Sequence, residues 1–378
     1  MRKYIPSSLK VSNRKIVYRL LSSVESTSRA EISRVTGISG ATILKIIDFF
    51  IDHNIAMYEG IDESFKTAGR KPISLRFNPN FAYTIAVIIE GDYVNVGISN
   101  MAGEIKYKFS RKQTTAFKIF LEIELANLIQ DTISKSGIAY EDVIGVGLGI
   151  PGIVDIKNNI IYDAPLIGIK GVYDISDTIR KLEGLIKKSI IVQNDVDACA
   201  YGEYKLNFKE NHKDFIFISV GTGVGSGIVL DGKIRNGSNF FAGEIGYMCF
   251  DKNYQHQKNK SGWLENQINL AALKNKFDFS IDECSFKNSK QVLYELTEYL
   301  SLAICNINAL LNVDTVVIGG YIANYFKEDL VNNITKRISN LSPHTPNIKL
   351  PECNEIGVVG MAALISEKML TVLLGEEE

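Results

Sequence analysis

Residues 218–237 read ISVGTGVGSGIVLDGKIRNG, two apolar runs joined by a glycine-rich turn. Apolar residues on both sides of a tight turn predict a β-hairpin. Gly221, Gly223 and Gly225 also free the backbone to approach another group closely, as backbone does around bound phosphate. The same glycines suit a hairpin that binds nothing. The stretch therefore raises the question of whether this protein holds a nucleotide.

The length and composition predict a multi-domain globular protein. A chain of 378 residues exceeds one ordinary core, and 46% apolar with 22% charged residues is typical of globular proteins. No apolar run reaches the roughly 20 residues that span a bilayer, and the N-terminus lacks a secretion signal. Five scattered cysteines without CxxC spacing indicate reduced thiols. We expect a cytoplasmic protein without membrane contact.

The charge is divided unevenly along the chain. Residues 1–76 carry 13 Lys and Arg against 7 Asp and Glu, a net charge of +6, whereas the remainder carries 29 against 36, a net charge of −7. A basic end on an acidic body indicates that this end meets a polyanion.

The basic end contains a predicted helix-turn-helix. Ser28 and Glu31 form a capping-box pattern, Gly37 suits the left-handed end of that helix, and Ser39 caps the next one. Two capped helices around a short glycine turn match the DNA-binding motif, although a helical hairpin without DNA function has the same pattern. The apolar residues expected to face inward are Ile16, Leu20 and Leu21 in the first helix, and Ile43, Ile46, Ile47 and Phe50 in the last.

A β-wing is expected after the helices. Residues 55–58 and 73–77 look like its strands, and AGRKP at 68–72 lies between them. A slim backbone followed by Arg suits insertion into a minor groove, although a plain charged wing tip is the alternative. The candidate contacts to double-stranded operator DNA are Arg29, Ser39, Thr42, Lys45, Arg70 and Lys71.

From residue 81 onward, strand-rich segments alternate with helical ones in a pattern that occurs twice. This repetition predicts two α/β lobes with a cleft between them. The motifs GLGIPGIVD, VQNDVDACAYGE, ISVGTGVGSGIVLDGKIRNG, GEIGY and VVIGG then resemble, in order, the ROK family over about residues 81–370. Together with the helix-turn-helix and GRKP, the chain resembles its repressor branch, typified by the xylose and N-acetylglucosamine repressors.

That resemblance implies an α/β fold: an N-terminal winged helix-turn-helix followed by a two-lobed, actin-like (ribonuclease H-like) ROK domain. The expected parts are a winged helix-turn-helix (1–64), a wing and linker (65–80), a smaller α/β lobe (81–197 plus 361–378) and a larger α/β lobe (198–360).

The resemblance also implies a sugar site. Carboxylates accept hydrogen bonds from sugar hydroxyls, and in ROK kinases the matching Asp is the general base. Asp195 alone is equally consistent with helix capping, and Glu244 and Glu265 with solvated structural roles. Trp263 could cover a sugar face. The candidate sugar-binding residues are Asn194, Asp195, Glu244, Tyr247 and Glu265.

Two departures from the family pattern carry information. The zinc ligands of many ROK proteins, one His and three Cys, align here with Tyr247, His256, Lys258 and Trp263. Since zinc needs four N or S ligands, we expect no metal. Tyr247 thus replaces a His that orients the sugar in relatives.

The second departure lies in the kinase Asp-x-Gly-Gly-Thr phosphate loop, which aligns with Ile88, Glu90, Gly91 and Asp92. Each carboxylate near a triphosphate adds roughly 1 kcal/mol of repulsion. We therefore expect no catalytic residues, no cofactor and a glycine hairpin that is retained for structure.

The sequence thus predicts a sugar-responsive transcriptional regulator, a repressor of carbohydrate-utilisation genes, with xylose metabolism among them. The expected partners are operator DNA, a small sugar or sugar phosphate, and a second copy of the chain, in a homodimer or a tetramer. An active ATP-dependent sugar kinase with a DNA-binding domain, and a scaffold in which both sites are dead, are the alternatives.

Overall fold

The computed structural model describes residues 6–61, 73–162, 164–208, 214–258, 260–279 and 288–375. Its first unit is a winged helix-turn-helix in which β1 and β2 pair antiparallel and Leu75 also bridges Thr27. The elements are α1 (Pro6–Ser23), α2 (Arg29–Thr36), α3 (Gly40–Asp52), β1 (Ala56–Ile61) and β2 (Ile73–Phe77).

The helix boundaries follow from local caps. Ser28 Oγ accepts a hydrogen bond from the Glu31 amide at 3.2 Å, and Gly37 ends α2 at a φ of 70°. Ser39 Oγ accepts from the Thr42 amide at 3.4 Å and starts α3. The Glu31 carboxylate does not complete the expected capping box by returning to the Ser28 amide. It accepts two hydrogen bonds from the Arg34 guanidinium instead.

The core of this unit matches the prediction for α3 and differs for α1. All four expected α3 residues are buried, whereas Ile16 is 43% exposed and Leu20 only partly buried. The buried face of α1 is rotated from the expected one, since α1 packs against β2 and α2 together. It consists of Val11, Val17, Tyr18 and Leu21.

The predicted minor-groove segment, including Arg70 and Lys71, lies outside the described residues. Its role stays a prediction.

A five-stranded sheet forms the first half of the body, in the order β10-β6-β3-β4-β5. β3, β4 and β5 are antiparallel, and β6 and β10 run parallel to β3. Since side chains alternate along a strand, Ile85 and Val87 enter the core on one face while Ala86 and Ile88 enter the other. The strands are β3 (Tyr83–Glu90), β4 (Tyr93–Asn100), β5 (Ile105–Lys112), β6 (Val143–Ile150) and β10 (Ser189–Asn194).

Helices and a small antiparallel sheet complete this half. One face of the five-stranded sheet is covered by α4 (Phe117–Ile119), which continues through a π-helical turn into α5 (Leu125–Ser136), and by α6 (Ser176–Ile186). The small sheet consists of β7 (Ile153–Asp155), β8 (Ile160–Tyr162) and β9 (Val172–Asp174).

The second half repeats the first topology. Its sheet has the order β13-β12-β11-β14-β15, with an antiparallel meander followed by parallel strands. The strands are β11 (Phe215–Val220), β12 (Val224–Leu230), β13 (Lys233–Ile234), β14 (Thr315–Gly319) and β15 (Asn347–Lys349). The helices on its outer face are α8 (Glu265–Ile268), α9 (Leu270–Phe277), α10 (Ser289–Leu311), α11 (Tyr321–Phe326) and α12 (Glu328–Ser339).

Two helices, α7 (Asp195–Glu203) and α13 (Ile356–Leu373), lie between the sheets. Apolar residues of α7 and α13 meet the first sheet in one cluster and the second sheet in another. The helices cross at Gly202 and Gly360, where a Cβ added to Gly360 would lie 1.7 Å from the Ala198 carbonyl oxygen. The predicted lobe boundaries at 197/198 and 360/361 fall inside these two helices, and the division into lobes stays a prediction.

The end of α13 reaches the winged helix-turn-helix. Leu374 is fully buried in the core of that unit, and the Arg14 guanidinium donates to the Leu374 carbonyl oxygen at 3.0 Å. The same guanidinium lies 3.4 Å from the ring centre of Phe49. Among the described helices, α13 is long and apolar enough to cross a membrane, and 44% of it is buried in contacts within the protein.

Candidate functional site

A cleft lies where the strands of both sheets end. It holds about 780 Å³ of space without protein atoms, part of it open to solvent. In α/β sheets, small-molecule sites lie beyond the carboxyl ends of the strands. The ends of β6 and β10 and the turns of the β3–β4 and β11–β12 hairpins contribute to its wall.

Asn194 fixes the start of α7 at this cleft. Its Oδ1 accepts from the amides of Val196 and Asp197 at 2.9 and 2.8 Å, and its Nδ2 donates to the Gly152 carbonyl oxygen at 2.9 Å. Both the oxygen and the nitrogen of the Asn194 side-chain amide thus make hydrogen bonds within the protein. Asn194 lines the cleft as predicted, but its main effect is to orient Asp195, the next residue.

Asp195 is half-buried in the first turn of α7. Burial, and then the negative charge of Glu90, raise its pKa to about 7. The sequence reading of Asp195 as a helix cap is not what the structure shows, because Asn194 performs the capping. The Asp195 carboxylate faces the cleft.

Glu244 lies opposite Asp195, just before a short 3₁₀ turn (Ile245–Tyr247). Burial raises its pKa to about 8, with further contributions from Asp195 and Glu265. A third carboxylate, Asp197, is only 8% exposed and lies in a smaller cavity that Asn194 and Glu244 also line. Burial, then Glu244 and Asp195, raise the pKa of Asp197 well above its ordinary value.

Glu265 joins the glycine hairpin to the cleft. Its Oε2 accepts from the Val224 amide at 3.0 Å. The hairpin backbone comes close because Gly223 and Gly246 lack side chains, and a Cβ on either would lie 3.3 Å from Glu265 Oε2.

The region aligned with the zinc motif is aromatic. Tyr247 lines the cleft, and its ring lies 5.3 Å from that of Phe241 and 5.5 Å from that of His256. Trp263 does not line the described cleft; it packs edge-on against Phe250 and Tyr299, so the expectation that it covers a sugar face is wrong. Within the described ranges no cluster of three His, Cys, Asp or Glu is arranged for a metal ion, and the expected absence of zinc stays a prediction.

The turns of the two hairpins touch across the cleft. Gly91 has a φ of 57°, and a Cβ added there would lie 2.7 Å from Thr222 Cγ2. The Gly221 amide is turned inward and donates to the Gly223 carbonyl oxygen at 2.9 Å. Glu90 lines the cleft beside this contact, whereas Asp92 is exposed outside it, contrary to the expectation that both carboxylates face it. Ile88 is 3% exposed and packs into the sheet.

Four of the predicted DNA-contacting residues lie in the described part of the winged helix-turn-helix. Ser39 and Thr42 share a hydrogen bond between their hydroxyls at 2.9 Å, and Lys45 is exposed one turn further along α3. Arg29 is half-buried at the start of α2.

Sequence reasoning missed Asp197 as a cleft residue and the Arg14 contact to α13. Asp197 was visible in the acidic pair of NDVD, but the cavity that it lines is shared with Glu244, which lies 47 positions away. Arg14 carries no sequence signal for a partner 360 positions away.

Comparison with known proteins agrees with this architecture. A model of the ROK family matches residues 84–368. The chain is 23% identical to the xylose repressor of Caldicellulosiruptor bescii over 96% of this chain and 97% of that protein. It is 22% identical to the DNA-binding transcriptional dual regulator NagC of Escherichia coli, over 97% and 95% of the two chains.

A solved structure shows the same fold. The crystal structure of a ROK family transcriptional regulator, a homolog of the E. coli MLC protein, has a TM-score of 0.78 with 20% identity and covers 97% of this chain and 98% of its own. The predicted fold class is confirmed. Fold and cleft together define a two-lobed α/β protein that carries an N-terminal winged helix-turn-helix. The chain belongs to the ROK family.

Proposed function

We propose that this protein is a sugar-responsive transcriptional regulator, a repressor of carbohydrate-utilisation genes, whose cleft binds a sugar without catalysis. The observation that carries the proposal is the presence, in one chain, of a winged helix-turn-helix and a carboxylate-lined cleft connected by α13. The similarity to the xylose repressor and to NagC over nearly the whole length supports it.

In the cleft, Asp195, Glu244 and Glu265 accept hydrogen bonds from different sugar hydroxyls. Asn194 holds the first of these carboxylates, and the Tyr247 ring borders the ligand. Hydrogen bonds to charged groups contribute about 1.5–3 kcal/mol each and neutral ones about 0.5–1.5 kcal/mol, so three acceptors suffice for a specific response whether or not Asp195 and Glu244 hold protons.

The cleft does not transfer phosphate. Thr222 fills the space beside Gly91, and Ile88 stands where the kinase pattern has its carboxylate. Phosphoryl transfer requires positive charge around the phosphates, whereas the side chain at this point is Glu90. These features favour the regulator over the kinase.

The ligand signal passes from α7 to α13. Asp195 lies on α7, which is locked to α13 at Gly202 and Gly360, and α13 ends at Leu374 inside the winged helix-turn-helix. A sugar that binds one arrangement of these helices more tightly than another shifts the DNA-binding units of a homodimer. Operator contacts come from Arg29, Ser39, Thr42 and Lys45, with Arg70 and Lys71 of the wing.

The test combines DNA selection with a sugar panel. Binding sites are selected from random DNA with the full-length protein, and release is measured by fluorescence anisotropy with xylose and N-acetylglucosamine first. We expect one sugar to change the affinity for DNA, and Asp195→Asn to abolish that change while DNA binding without sugar is retained. Asp92→Asn, an exposed position outside the cleft, serves as the matched control and should respond normally.

ATP-dependent phosphorylation of a sugar by the wild-type protein, lost in Asp195→Asn, would show that the protein is a sugar kinase instead. A protein that selects no DNA sequence would refute the regulator.

A further inference from the structure

We propose that the effector is an unphosphorylated sugar without net negative charge, and that sugar phosphates and sugar acids are rejected by the cleft. This inference rests on the proposed sugar-sensing function and narrows its ligand class. It follows from which charged groups, and which hydrogen-bond donors, face the ligand.

Every charged side chain on the described wall is acidic. Glu90, Asp195, Glu244 and Glu265 line the main cleft, and Asp197 lines the smaller cavity behind Glu244. No Lys, Arg or His is among the described residues that line either space. Burial first, and then the charge of Glu90, raises the pKa of Asp195, while backbone hydrogen bonds lower it. Burial first, and then Asp195 and Glu265, raises the pKa of Glu244. No cation contributes to either shift.

Several backbone donors at the cleft are already engaged in hydrogen bonds within the protein. A helix N-terminus ordinarily offers free amides to an anion. At α7, however, the amides of Val196 and Asp197 are bonded to Asn194 Oδ1. In the hairpin, the Gly221 amide bonds the Gly223 carbonyl and the Val224 amide bonds Glu265 Oε2.

The buried Asp197 carboxylate gives an independent indication. It is only 8% exposed and lines the smaller cavity together with Glu244. A neutral or cationic ligand that donates hydrogen bonds satisfies such a wall. An anion is disfavoured because the described residues that line the cleft offer it no cation, and because Asp195 and Glu244 add negative charge as pH rises through their pKa values of about 7 and about 8. Metal binding is not favoured, because no described cluster has suitable geometry.

The experiment measures dissociation constants by isothermal titration calorimetry on the full-length protein with matched ligands. One set is glucose, glucosamine, glucose 6-phosphate and glucuronic acid; a second is N-acetylglucosamine and its 6-phosphate; xylose is added because a relative is a xylose repressor. Where a neutral sugar binds, we expect the dissociation constant of its phosphate or acid derivative to be at least about tenfold higher at low salt. This ratio of dissociation constants should fall as the salt concentration rises, because salt screens the repulsion.

Charge-removing variants separate repulsion from poor fit. Glu90→Gln should narrow the gap between parent and phosphate several-fold, while Asp92→Asn, two positions away and outside the cleft, should leave it unchanged. A phosphate or acid that binds as tightly as its parent overturns this inference and leaves sugar sensing intact. A gap that Glu90→Gln leaves unchanged also overturns the electrostatic explanation. Failure of every neutral, cationic and anionic ligand to bind overturns sugar sensing itself.

Discussion

Replacing Gly360 by Ala tests the contact between the two central helices. The added Cβ would lie 1.7 Å from the Ala198 carbonyl oxygen and 2.7 Å from the Gly202 amide nitrogen. Ordinary carbon–oxygen contacts begin near 3.3 Å, so α7 and α13 must separate by about 1.5 Å. Both neighbouring atoms belong to backbone, which cannot rotate away as a side chain can.

Overpacking of a core costs typically 1–3 kcal/mol and occasionally more, and a backbone clash belongs at the upper end. We expect Gly360→Ala to lose about 3 kcal/mol, which lowers Tm by about 6–12 °C for a domain of 150–250 residues. Differential scanning calorimetry measures this shift.

The matched control is Gly184→Ala in α6, where an added Cβ meets nothing within 4 Å. Alanine is a better helix former than glycine by about 0.5–1 kcal/mol, so this variant should be as stable as the wild type or slightly more so. A Gly360→Ala protein that melts within a degree of the wild type would refute the close helix crossing.

Three further predictions concern the winged helix-turn-helix and the cleft. Arg14→Met removes the hydrogen bond to the Leu374 carbonyl, worth about 1.5–3 kcal/mol, and hydrogen exchange at the end of α13 should accelerate. Ser39→Ala should cost about 1 kcal/mol of stability by loss of the α3 cap, while Ser39→Asp keeps the cap but weakens DNA binding by charge repulsion. The ligand-free protein should become less stable as pH rises from about 4 to about 8, and level off above that, since over this range the folded state holds protons on Asp195 and Glu244 that the unfolded chain has released.

Each of these has a clear contrary result. Unchanged exchange in Arg14→Met would show that α13 is held by apolar packing alone. Equal operator affinity of Ser39→Asp and wild type would place the DNA backbone away from the start of α3. For the pH prediction, Asp195→Asn should flatten the thermal-melt profile between pH 5 and 8, and an unaltered slope would assign the proton uptake to other groups.

Features that depend on local sequence were predicted well. The caps at Ser28 and Ser39, the left-handed Gly37 and the glycine hairpin are determined by neighbouring residues, and each is present. The repeated strand order also follows from pattern, since the meander and the crossover segments have distinct periodicities.

What was missed depends on residues far apart in the chain. Trp263 was expected at the ligand because it neighbours Glu265, yet its ring is drawn into a core formed with Tyr299. The face of α1 was misjudged at Ile16 because that helix packs against β2 and α2 at once. The helix crossing at Gly360 depends on the backbone of Ala198, 162 positions away.

The contact between Arg14 and Leu374 brings the two ends of the chain together in one core. A fragment that stops after the wing would therefore lack part of its own interior: the Leu374 side chain, the Leu370 packing and the acceptor for a buried guanidinium. The winged helix-turn-helix thus does not form a complete core without the C-terminal helix. Tags, fusions and truncations at the C-terminus act on a structural component of the N-terminal domain, and a reporter attached there sits beside the winged helix-turn-helix.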